Sequence, residues 1–183
     1  MNLTETTISS EPVYDGVLLH VRRDEVRLPD GETSGREWIE HPGASAVIPL
    51  YANGDTVLLR QFRYPPRREF LEAPAGKFDR PGEAPEALAA RELEEEAGIR
   101  AETFTPLGVT YPCIGYSNEV IHLFLAEGLS DGVAGADDDE FVAPVRMPLA
   151  EAVEMARAGN ILDSKTCVAL LLAQAHLDAR GEE

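Results

Sequence analysis

Apolar and polar residues alternate in short runs over the first seventy positions, and a helical period takes over near residue 85. The alternation predicts strands at 16–21, 25–28, 37–41, 45–50 and 55–62. Asn53-Gly54, between the last two, is a hairpin signal, because such turns need positive φ at their central residues. The stretch 29–35 reads as a loop, and a short strand at 69–72 ends before Pro74. A helix is predicted from Pro85 to Ala97. Proline suits a first-turn position, Gly98 supplies a left-handed C-terminal cap, and Ala90, Leu93 and Ala97 form the buried face. Strands follow at 104–111 and 119–126. A Gly- and Asp-rich loop at 131–140 precedes a strand at 142–147. Pro148 opens a second helix that stops at Gly159-Asn160, and a third at 164–177 packs Val168, Leu171, Leu172 and Ala175. Strands in bulk with three interspersed helices imply an α+β or α/β layered fold.

Composition narrows the setting. A chain of 183 residues with 44% apolar content can bury one sizeable core. No apolar run is long enough to span a bilayer, and residues 1–16 lack the basic and apolar regions of a signal peptide, so a cytoplasmic location is expected. The formal charge of −17 argues against nucleic acid or anionic membrane as a partner. Cys113 and Cys167 form no CxxC pair, and His20, His41, His122 and His176 show no zinc-ligand spacing.

The chemistry concentrates in residues 76–99, GKFDRPGEAPEALAARELEEEAGI. With Glu92 as zero on a helical wheel, Glu95 falls at about 300° and Glu96 at about 40°, so the three carboxylates share one arc. Crowded carboxylates destabilise a helix by about a few tenths of a kcal/mol per pair, and a cation among them removes that cost. Mg²⁺ suits such a site, because it takes hard oxygen ligands and is held by a few carboxylates plus substrate phosphates. A solvated acidic helix is the plain alternative.

This stretch resembles the Nudix box, G-x5-E-x7-R-E-U-x-E-E-x-G-U with U a bulky aliphatic residue. Gly76, Glu83, Arg91, Glu92, Leu93, Glu95, Glu96, Gly98 and Ile99 match it, with six residues rather than five between Gly76 and Glu83. The extra residue falls in the turn Asp79-Arg80-Pro81-Gly82, where insertion costs little. The resemblance implies the Nudix fold, an α/β/α sandwich with a mixed β-sheet between helices. It implies Mg²⁺, with Mn²⁺ as substitute, ligated by Glu92, Glu95, Glu96 and the carbonyl of Ala75. Glu83 would ligate a metal or orient a bound water. Arg91 would hold a box glutamate, while Gly76 and Gly98 serve backbone geometry.

E-x-P-A-G at 72–76, Q-F-R at 61–63 and the strands ending in GREWIEHPGA at 35–44 resemble the ADP-ribose pyrophosphatase branch. That branch implies hydrolysis of ADP-ribose or a related nucleoside diphosphate sugar to a nucleoside monophosphate and a sugar phosphate. Arg63 would contact the diphosphate and Trp38 would stack on the base. Glu119, in YPCIGYSNE, would contact the ribose. The branch usually carries proline where this chain has Ile114. Glu140 on the acidic loop, with Asp138 and Asp139 as rivals, would be the general base beside Glu95 and Glu96 in catalysis. An N-terminal strand extension, 1–43, would be exchanged in a homodimer that brings Arg36 and Trp38 to the neighbour's site. Residues 44–183 would form the hydrolase domain. A broader or GDP/UDP-sugar-preferring diphosphatase is the rival enzyme. A non-catalytic nucleotide-sugar sensor is the rival from another class, and it need not keep three box glutamates.

Overall fold

A computed structural model describes residues 2–135 and 141–181. The chain divides into two compact units, Met1–Gly43 with Cys113–Glu119, and Ala44–Pro112 with Val120–Glu183.

The first unit is an antiparallel sheet of β1 (Thr6–Asp15), β2 (His20–Arg27) and β3 (Thr33–Glu40), in the order β1-β2-β3. β1 answers to no predicted strand. Every one of its residues is exposed, so its sequence shows no alternation, and pairing with β2 alone makes it a strand. Its register slips between Thr7 and Ser9 and between Pro12 and Tyr14. β2 runs unbroken where two strands were expected. Arg22 pairs with Glu40 and Arg23 with Glu11, so the charged residues that interrupt the pattern are satisfied across the sheet. β3 begins inside the expected loop, because the turn is confined to residues 28–32, with Leu28 N–H donating to the Glu32 carbonyl and Gly31 at φ 95°. Val26 is the one buried hydrophobic of this unit among the described residues.

The second unit is layered. Its central sheet has the order β7-β4-β10-β9, from β4 (Ala44–Pro49), β7 (Ala75–Lys77), β9 (Thr103–Thr110) and β10 (Ile121–Glu127). β4 and β10 run parallel and the outer pairings are antiparallel, so the sheet is mixed. β4 is buried along its whole length, as expected of a strand covered on both faces. Ala44, Ala46, Ile48, Ile121, Leu123 and Leu125 pack with α2 (Leu149–Arg157) and α3 (Ser164–Gly181). Val47, Phe124 and Ala126 pack instead with α1 (Pro85–Ala97). This period of two places helices on both faces. A second sheet, β12-β5-β6, joins β5 (Asp55–Arg63), β6 (Arg68–Glu72) and β12 (Val142–Pro148). The two-residue strands β8 (Ile99–Arg100) and β11 (Ser130–Asp131) pair with each other.

α1 has the predicted bounds. Pro85 opens it, and Gly98 closes it at φ 66°, ψ 30°, with its N–H donating to the Glu94 carbonyl. The buried face differs from expectation. Leu88, Ala89 and Leu93 fill it, Ala90 and Ala97 are only half-buried, and the carboxylate-bearing Glu96 is buried among them. α3 is also rotated from the expected face. Thr166, Ala169, Leu170 and Ala173 are buried, while Leu171 and Ala175 are exposed. Residues 168–173, VALLLA, are apolar on every side, so periodicity could not select the inward one.

No helix of the described residues is long and apolar enough to cross a membrane. Gly98 has ordinary space for a Cβ, so Gly98→Ala isolates the backbone conformation. Strain in the left-handed region predicts a loss of about 1 kcal/mol, read as a lower urea midpoint with an unchanged m-value.

Candidate active site

α1 carries four residues of the site on adjacent turns, and β7 faces them. Two features bind helix to strand. The Glu96 carboxylate accepts the Ala75 N–H at 2.9 Å. Gly76 lies so close to Glu92 that a Cβ there would collide with the Glu92 carboxylate. Glycine is therefore required by close approach rather than by an unusual φ. β7 itself is held by antiparallel pairing of Ala75 and Gly76 with Ala46 and Ser45.

Arg91 gathers the remaining carboxylates. Its Nε donates to Glu83 at 3.1 Å, and its Nη1 lies 2.8 Å from Glu92 and 2.9 Å from Glu95. Its Nη2 donates to Asp79 at 3.0 Å. Both Arg91 and Glu83 are largely buried, and hydrogen bonding to Glu83, ahead of the opposing effect of burial, holds the guanidinium above its ordinary pKa. It stays charged at every pH at which the protein is folded. Glu95 is the most exposed of the box carboxylates, and Arg80 approaches it at 3.9 Å.

A second charged group lies on the other side of the same strand connection. Glu72 is buried and receives Arg63 through two bonds, from Nε at 2.7 Å and Nη2 at 2.8 Å. Lys165 donates to Glu72 at 2.5 Å and to Asp163 at 3.0 Å. Asp163 precedes α3 and accepts the Thr166 N–H, as an N-cap does. Thr166 Oγ1 accepts the buried Ala73 N–H at 2.7 Å. Burial pushes the Glu72 carboxyl up, but Arg63 and Lys165 outweigh it and hold its pKa below the usual glutamate range. Arg63 is raised by its bond to Glu72, and the charge of Glu96 contributes as well. Lys165 and Asp163 carried no local signal as functional residues. Their link to Glu72 spans 93 positions for the lysine.

The first unit holds Trp38, Arg36 and Glu119. Trp38 and Arg36 line a cavity of about 310 Å³ with Asp24, Tyr116 and Asn118. The Trp38 indole N–H donates to Asp24 at 3.0 Å, and Arg36 pairs with Glu5. Glu119 lies 3.8 Å from His41. Glu140, Asp138 and Asp139 lie outside the described residues. The chain leading to them is tied to the end of α1, where Gly135 N–H donates to the Glu95 carbonyl at 3.0 Å.

An arginine-buttressed acidic helix face is seated against a strand backbone, a donor set of oxygens suited in chemistry to a hard cation. Residues 39–166 match the NUDIX domain, and residues 5–39 match the nucleoside diphosphate sugar hydrolase N-terminal domain. The chain belongs to the Nudix family. It is 38% identical to an ADP-ribose pyrophosphatase of Bacillus subtilis, over 94% of each chain. It is 40% identical to a methanol dehydrogenase activator of Bacillus methanolicus, over 93% of this chain and 92% of that one. A crystal structure of an ADP compounds hydrolase superposes with a TM-score of 0.86 at 23% identity, covering both chains completely, and supports the fold.

Nudix hydrolases as a class need a divalent metal. The donors here fit one, being oxygen only: the carboxylates of Glu92 and Glu96 and the β7 backbone they both touch. Among the described residues no three acidic, His or Cys side chains already stand around one point, and Glu95 turns to Arg91.

Gly76→Ala is expected to fold and to displace the Glu92 carboxylate, lowering kcat by about a hundredfold, as a misplacement of about 1 Å does. Thermal melts beside steady-state rates separate the two effects. Glu72→Gln is expected to cost about 3 kcal/mol near neutral pH, since it leaves Arg63 without its carboxylate and Lys165 with Asp163 alone. The folded pKa of Glu72 is depressed, so the stability it confers is full above the unfolded glutamate pKa and is lost as pH falls through the folded value. Urea titrations should therefore show the gap between wild type and E72Q closing toward acid.

Proposed function

We propose that the protein hydrolyses the diphosphate bridge of a nucleoside diphosphate sugar, ADP-ribose or a close relative, to a nucleoside monophosphate and a sugar phosphate. The observation that carries this reading is the seating of Glu92 and Glu96, one turn apart on α1, on the Ala75-Gly76 backbone. Mg²⁺, with Mn²⁺ as substitute, is the cation these oxygens favour. Glu92, Glu95, Glu96 and the Ala75 carbonyl would hold it. When bound it neutralises charge on the phosphoryl oxygens and makes a water more acidic.

The chain's own residues do the rest. Arg91 holds Glu83 and Glu95 in place. Arg63, charged and half-exposed, offers a planar donor edge to the diphosphate. Trp38, with its indole N–H tied to Asp24, keeps its ring faces for the base, beside Arg36. Glu119 receives a ribose hydroxyl. Glu140 takes the proton from the attacking water.

The protein acts as a cytoplasmic homodimer in this reading. Its support is the first unit, which exposes Ile8, Val13 and Tyr14 and buries Val26 as its one described core residue, so that a second copy would cover it.

A panel of ADP-, GDP- and UDP-sugars assayed with Mg²⁺ and with product identification tests the proposal. Turnover of ADP-ribose to AMP and ribose 5-phosphate, abolished by EDTA and restored by Mn²⁺, is expected. Glu96→Gln should lower kcat by about two to three orders of magnitude, as loss of one group that stabilises developing charge does, with nucleotide binding retained. A wild type inert toward every nucleotide sugar would sink the reading in favour of a sensor.

A further inference from the structure

Lys165 is one of only two lysines in the chain, and its side chain is largely buried, 14% exposed. Its ammonium bonds to Oε2 of Glu72, the same oxygen that accepts Nη2 of Arg63. Oε1 of Glu72 accepts Nε of Arg63. The carboxylate is thus gripped from two sides and cannot rotate without breaking a bond to a cation. Arg63 is engaged only along its Nε–Nη2 edge, and among the described residues its Nη1 donates to nothing. The guanidinium side chain remains 44% exposed.

The charge balance bears on what that free edge can do. A buried carboxylate facing a single arginine would neutralise it. Here Glu72 is shared between Arg63 and Lys165, while Asp163 pairs with Lys165, so part of the negative charge of Glu72 is directed at the lysine. Arg63 keeps net positive character toward an incoming anion. The same turn of α3 fixes the strand connection, because Thr166 holds the Ala73 N–H two residues before Ala75.

We propose that Lys165 is a positioning residue for substrate binding: acting through Glu72, it orients Arg63 and leaves its outer edge charged for the substrate diphosphate. This rests on the reading of Arg63 as a diphosphate contact. Lys165 acts without touching a substrate atom.

The test uses the full chain with Lys165→Met and Lys165→Arg, and with Lys165→Gln should the methionine variant fail to fold. Hydrogen exchange of the Arg63 Nε–H, followed by side-chain NMR, is the readout that needs no turnover. Exchange should quicken about tenfold in K165M, the equivalent of one charge-assisted hydrogen bond, and return toward wild type in K165R. In the nucleotide-sugar assay the same loss appears as a KM raised by about tenfold with kcat within about threefold, because ground-state and transition-state binding fall together. Unchanged Arg63 exchange in folded K165M or K165Q overturns the proposal. So does a fall in kcat at constant KM, or a K165R protein no better than K165M. A wild type without turnover would instead defeat the proposed function, and the exchange comparison would still decide the role of Lys165.

Discussion

One guanidinium makes the acidic face of α1 possible. Glu83, Glu92, Glu95 and Asp79 all lie within bonding or ion-pair distance of Arg91. Unsupported, these groups would repel one another, and the partly buried ones most of all, because little water remains to screen them. Networks of this kind add little net stability, since desolvation offsets most of the attraction. What Arg91 adds is geometry. Its planar fork reaches several carboxylates in fixed directions, which a lysine ammonium could not do. The face is held in place before any cation arrives.

The strand connection from Glu72 to Gly76 takes its shape from opposite sides. α3 holds it through Lys165 and Thr166, and α1 holds it through Glu96 and the close approach of Glu92. Its backbone N–H groups at Ala73 and Ala75 are both spent on side chains from these helices. A segment so fixed has little freedom to rearrange, which is the property that a preorganised site needs.

The sequence made some of this legible. Pro85 and Gly98 punctuate α1 with residues whose backbone preferences admit little else, so its bounds could be read directly. Glu92, Glu95 and Glu96 announce themselves by helical spacing, while Glu83, Arg91, Trp38, Arg36 and Arg63 are singled out only through resemblance. β7 was invisible, because three residues after a proline carry no periodicity and become a strand only by pairing with β4. β1 was hidden for a related reason, being exposed along its whole length and without alternation. The inward side of α3 could not be chosen from an all-round apolar run. The grip of Lys165 on Glu72 was out of reach, since no local rule connects residues so far apart in the chain. Long-range pairing, rather than propensity, decides each of these cases.

β1 is an outermost strand, and such borders invite unwanted company from other chains. Pro12 has no amide hydrogen to offer, and the two slips of register interrupt the regular repeat of donors and acceptors along the strand. A border interrupted in this way resists growing into fibrils, so the extension can remain exposed during synthesis without seeding precipitation.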